Sequence, residues 1–146
     1  MKKMNVKLLR KVQRHILAVP ERYDQDGIIE FGDPGMTYRN DSTFPECGTI
    51  ACIGGWVEVL SAKRPRLLAK RKSWGGQTFL NYKKLGHLLG VDQGSVSRLV
   101  AYSYDSGENA WPAQFRRAYR KAKTQQGRTR VAARRIDHFI KTRGAE

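Results

Sequence analysis

Apolar residues recur at helical spacing along most of this chain, and capping side chains, prolines and glycines mark the breaks between the runs. Val6, Leu9, Val12, Ile16 and Val19 share one helix face, with Lys7, Arg10, Lys11 and Arg14 on the other. Asn5 stands where an N-cap belongs and Pro20 ends the run. Ile50, Ile53, Val57 and Leu60 repeat at steps of three and four, which predicts a second helix reaching about residue 62. Two starts compete for it: Thr43 and Glu46 have capping-box spacing, and Cys47-Gly48-Thr49 offers a rival. Residues 80–89 and 93–102 read as two short helices around Gly90, Val91 and Asp92. Pro112 suits the first turn of a helix over 113–123, and Gly127 divides it from a last helix over 129–141.

Residues 21–46 lack this period. Gly27, Gly32, Pro34, Gly35 and Pro45 punctuate them, and the run Ile28, Ile29, Glu30, Phe31 can pair as a short strand. The predicted fold is mainly α. It is one compact domain over 1–146 with about six helices and a long, partly irregular connection after the first, able to carry a short β-hairpin. Residues 113–142 form a basic helical pair at its end.

Composition narrows the setting. Hydrophobic residues are 40% and charged residues 28% of the 146, which describes a folded but strongly solvated chain. Its basic start, MKKMNVKLLRK, lacks the apolar run of about 7–15 residues that a signal peptide needs, and no stretch approaches the roughly 20 apolar residues of a membrane span. A cytoplasmic protein with no membrane partner is expected, its two cysteines reduced.

Net charge is +15 and unevenly spread. The first 20 residues hold six Lys or Arg and no acid; residues 21–58 hold eight acids against two bases; residues 59–146 hold twenty bases against five acids. Such asymmetry is the electrostatic footprint of a partner rich in phosphate or carboxylate.

The segment ECGTIACIGGWV concentrates two cysteines, three glycines and a tryptophan. If both are helical, Cys47 and Cys52, five residues apart, point about 140° away from each other and cannot share a metal. No CxxC or paired His accompanies them, and His15, His87 and His138 are scattered singly. A depressed thiol pKa needs a neighbouring His or a helix start, and Cys47 alone stands near one. Packing explains more residues. Gly48, Ala51, Cys52 and Gly55 form a strip of small side chains beside the apolar stripe, suited to close approach of another backbone, with Trp56 anchoring the core. No catalytic residue, metal or cofactor is therefore expected.

The chain also resembles a family of small uncharacterised bacterial and phage-borne proteins. The matching residues are Pro20-Glu21-Arg22-Tyr23-Asp24, the helix motif Cys47-Gly48-Thr49-Ile50-Ala51-Cys52-Ile53-Gly54-Gly55-Trp56, Leu89-Gly90-Val91, and Trp111-Pro112. The family usually has alanine where Gly54 stands, and this chain has more basic residues. The resemblance implies a helical fold and a mobile-element source, and brings no chemistry with it.

Residues 83–102, KKLGHLLGVDQGSVSRLVAY, resemble a DNA-reading helix-turn-helix, with Gly86, Leu89, Gly90, Val96 and Leu99 at suitable spacing. The second helix would then present Gln93, Ser95 and Arg98 for base reading, Ser97 beside them. A plain structural αα-hairpin fits the same residues. On the last two helices, Phe115, Ala118, Tyr119 and Ala122, then Ala132, Ile136, Phe139 and Ile140, form the inward faces. Arg116, Arg117, Arg120, Lys121, Arg128, Arg130, Arg134 and Arg135 are placed outward to position phosphates. Lys63, Arg64, Lys70, Arg71 and Lys72 form a second basic cluster. Trp74, Tyr82, Tyr102 and Tyr104 are available to stack on bases. The expected function is a non-enzymatic binding protein for nucleic acid, DNA or RNA, or a nucleoprotein complex. The alternative is a small mobile-element protein that inhibits a nucleic-acid-binding host protein by direct contact.

Overall fold

A computed structural model describes residues 3–25, 29–30, 50–63, 80–101 and 110–146. Six helices are seen among them: α1 (Val6–Ala18), α2 (Ile53–Ser61), α3 (Tyr82–Leu89), α4 (Gln93–Val100), α5 (Ala113–Lys121) and α6 (Gln125–Lys141). A 3-10 turn at Pro20–Arg22 follows α1, and two short strands, β1 (Ile29–Glu30) and β2 (Ile50–Ala51), pair antiparallel. The mainly helical, compact class expected from the sequence is what forms.

Local chemistry sets most boundaries. The Asn5 side chain accepts from the Leu8 amide at 3.1 Å, the Asn81 side chain from Lys84 at 2.9 Å, and Asp92 from Ser95 at 2.8 Å, each meeting one orphan donor of a helix start. Gly90 ends α3 in the left-handed region at φ +69°. Two boundaries differ from expectation. The helix predicted from the Cys47 region begins only at Ile53, because Ile50 and Ala51 are drawn into pairing with Glu30 and Ile29. Cys52 then becomes the cap, its Sγ accepting from the Gly55 amide at 3.4 Å. Gly127 does not divide α5 from α6 either. Thr124 caps α6, accepting from the Gly127 amide at 3.0 Å, so the helix starts four residues earlier than predicted and takes Gly127 into its first turn.

α1 lies against α6 and α2, α3 pairs with α4, and α5 rests on α6. Their shared core holds Leu9, Val12 and Ile16 of α1, Ile53, Trp56 and Val57 of α2, Leu99 of α4, and Ile136 and Phe139 of α6. Trp56 is an anchor as expected: it is fully buried, meets His15 ring to ring at 4.1 Å, and donates from Nε1 to the Arg22 carbonyl at 3.1 Å. The glycine seam is real at Gly54, but side chains use it rather than a second backbone. A Cβ there would stand 2.7 Å from Leu80 and 2.8 Å from Val100.

Candidate nucleic-acid interface

α5 and α6 together carry one acid, Asp137, and Arg10 of α1 pairs with it. Arg117, Arg120, Lys121 and Lys123 are exposed at α5 and just beyond it, and Arg128, Arg130 and Arg134 are exposed on α6. Because α6 starts at Gln125, Arg130 and Arg134 lie past its first turn. The macrodipole, which acts within that turn, opposes them little. The Arg128 guanidinium sits 5.8 Å from the ring centre of Tyr119, a cation–π contact that steadies it at the junction of the two helices.

Two expected members of this face are placed differently. Arg135 is fully buried rather than outward. Its guanidinium lies 5.7 Å from the Phe115 ring and 5.6 Å from the Phe139 ring, and its Nη2 donates to the Arg98 carbonyl at 2.9 Å. Nε and Nη1 are buried without a hydrogen-bond partner. Burial lowers its pKa to about 10; Glu146 nearby opposes that shift and Arg98 adds to it. Arg116 is half-buried, its Nε shielded from solvent.

The helix-turn-helix residues are also redirected. Ser95 is buried, and its hydroxyl donates to Asp92 at 2.7 Å. Those bonds from Ser95, side chain first and then backbone, hold the Asp92 carboxyl below its usual pKa. Arg98 turns Nε and Nη2 onto the Gly144 carbonyl at 3.2 and 3.0 Å, and Nη2 also meets Ser95 Oγ at 3.0 Å. The turn itself is covered: a Cβ at Gly90 would stand 2.4 Å from the Lys3 carbonyl, and the Asn5 amide donates to Leu89 at 2.7 Å. Of the three base-reading candidates Gln93 alone is exposed, so the segment takes the form of the plain hairpin. In the second basic cluster Lys63 is exposed, while Arg64, Lys70, Arg71 and Lys72 lie outside the described residues, as do Cys47, Trp74, Tyr102 and Tyr104.

A feature without a sequence signal is a groove of about 750 Å3 between α1, α5 and α6. Leu17, Ala118, Ala122 and Val131 supply apolar lining, while Lys121, Arg130 and Arg134 line it beside them. Finding it needs the packing of α1 against α5 and α6, a helical pair distant from it in sequence.

Thiol chemistry finds no support at Cys52. It is buried, and burial pushes its thiol up to about 11, so it stays protonated at neutral pH. Among the described residues no three metal-ligating side chains gather, and no helix is long and apolar enough to cross a membrane. No family model matches this chain, and no curated protein or solved structure matches it.

Proposed function

We propose that this chain is a non-enzymatic binding protein that engages nucleic acid, or a nucleoprotein complex, through the outward bases of α5 and α6. The supporting observation is the exposure of Arg117, Arg120, Lys121, Arg128, Arg130 and Arg134 on two packed helices whose one carboxylate is taken by Arg10. Cations gathered on two helices that carry a single carboxylate repel one another, and phosphates relieve that repulsion while the nucleic acid gives up its condensed counterions. With Ser95 and Arg98 turned inward, binding through this face is dominated by the backbone of the nucleic acid and reads sequence weakly.

The test is a fluorescence-anisotropy titration against a DNA duplex at rising salt. About six phosphate contacts make affinity fall about a thousandfold between roughly 50 and 200 mM. Absence of binding at the lowest salt disproves the reading. A second reading, direct inhibition of a nucleic-acid-binding host protein, is favoured by one observation: the apolar lining of the α1–α5–α6 groove, which phosphates do not use.

A further inference from the structure

We infer that the groove between α1, α5 and α6 is the docking site for an acidic amphipathic helix of a protein partner. This rests on the second reading above and specifies its partner. Its failure leaves the nucleic-acid reading intact, because that reading is measured with a duplex and not with a peptide.

The lining is the first reason. Leu17 is 44% exposed at the groove, although α1 buries Leu9, Val12 and Ile16 completely. It is therefore apolar surface that α1 leaves to solvent, continuous with half-buried Ala118 of α5 and Ala122 just beyond it, and bordered by the buried Val131 of α6. Covering it is favourable only for a partner that brings apolar surface of its own. A sugar-phosphate backbone does not.

Shape is the second. The groove runs where three helices meet, and a furrow between helices accepts the side-chain ridge of another helix. Alanines at 118 and 122 let a helix axis come close to this open furrow.

Charge is the third, and it selects the partner. Lys121, Arg130 and Arg134 line the groove with three cations, and its one carboxylate, Asp137, is already seated on Arg10. A helix with leucines along one stripe and Glu or Asp on both flanks meets apolar surface with apolar surface and cations with carboxylates. A lysine-flanked helix meets like charge.

The test uses the full chain and a fluorescein-labelled designed peptide of about four helical turns, leucines at one-face spacing and glutamates flanking them. A scrambled peptide and a lysine-flanked version are the comparisons. The acidic helix binds the wild-type chain, and both comparisons bind at least about tenfold more weakly. Leu17→Gln, a change at an exposed position that removes apolar surface and adds no charge, lowers affinity for the acidic helix about tenfold or more and leaves duplex affinity unchanged. Arg130→Glu with Arg134→Glu reverses the preference toward the lysine-flanked helix. The proposal is overturned if the acidic helix fails to bind, if the scrambled peptide equals it, or if Leu17→Gln has no effect. Self-association in sedimentation that Leu17→Gln abolishes would assign it to a second copy of this chain.

Discussion

The main-chain carbonyl of Arg98 accepts a hydrogen bond from the buried guanidinium of Arg135 at 2.9 Å, so an arginine of α4 and an arginine of α6 meet inside the protein. The side chain of Arg98 leaves that contact and closes instead on the Gly144 carbonyl. Neither side chain is then presented as a cation to an external phosphate. A surface with eight expected arginine and lysine contacts at α5 and α6 becomes one with six exposed, Arg135 being buried and Arg116 half-buried.

Arg135→Met keeps the aliphatic stem between Phe115 and Phe139 and removes a charge that makes one hydrogen bond to Arg98. Replacing a poorly paired buried charge by an apolar side chain of similar length is expected to leave stability within about 1 kcal/mol or raise it. Arg135→Ala opens a cavity and lowers stability by about 2–4 kcal/mol. Urea unfolding of the two variants separates these effects, and duplex affinity of the methionine variant equals that of the wild type.

Among the outward bases the effect is on binding. Arg130→Ala and Arg134→Ala each flatten the slope of log affinity against log salt by about 0.9 on duplex DNA, and they do so whatever the sequence. Gln93→Ala changes the slope little. A sequence-dependent loss in the arginine variants would contradict backbone contact.

Cys52 carries a pH signature. Burial raises its folded-state pKa to about 11 from the ordinary thiol value of 9.0, so the native state holds the proton longer than the unfolded chain does. That contribution to stability is complete below pH 9 and is lost as pH rises toward about 11, a decline of about 2–3 kcal/mol. Chemical denaturation at stepped pH should show this decline in the wild type and a flatter course in Cys52→Ala. In a Cys47→Ser background the remaining thiol should react with a disulfide reagent about a thousandfold or more slowly than a free thiol, because attack waits on opening of the fold.

Gly90→Ala tests the seal over the α3–α4 turn. Alanine at φ +69° is strained, and its Cβ would meet the Lys3 carbonyl at 2.4 Å, a backbone atom that moves only with the whole segment. A loss of at least about 2 kcal/mol is expected in thermal unfolding.

How far the sequence alone could be read depended on the range of the interactions involved. Asn5, Pro20, Gly90 and Asp92 act on backbone within a few residues, so α1, α3 and α4 were legible from caps, stops and period. The start of α2 was not, since Ile50 and Ala51 fit an apolar helical stripe equally well and only the distant Ile29–Glu30 pairing makes them a strand. Arg135 had a partial signal. It lies three residues after Ala132 and four before Phe139, on the buried stripe of α6, but its charge argued for the surface more strongly than its spacing argued against it. Gln25 had none. It is a loop residue whose amide group meets Tyr23 Oη at 2.6 Å and the Val100 carbonyl at 2.7 Å deep in the core.

By itself the order of residues determined a helical chain, the caps and turns of its local elements, and an excess of positive charge toward its later half. Tertiary packing alone decided which of those cations face solvent, which are spent inside on Arg98, Gly144 and two phenyl rings, and that α1, α5 and α6 line an open groove with apolar and cationic sides. The reason is physical. Capping and helical period act over one turn of chain, whereas burial and the convergence of side chains from separate helices come into being only when distant segments exclude water from one another.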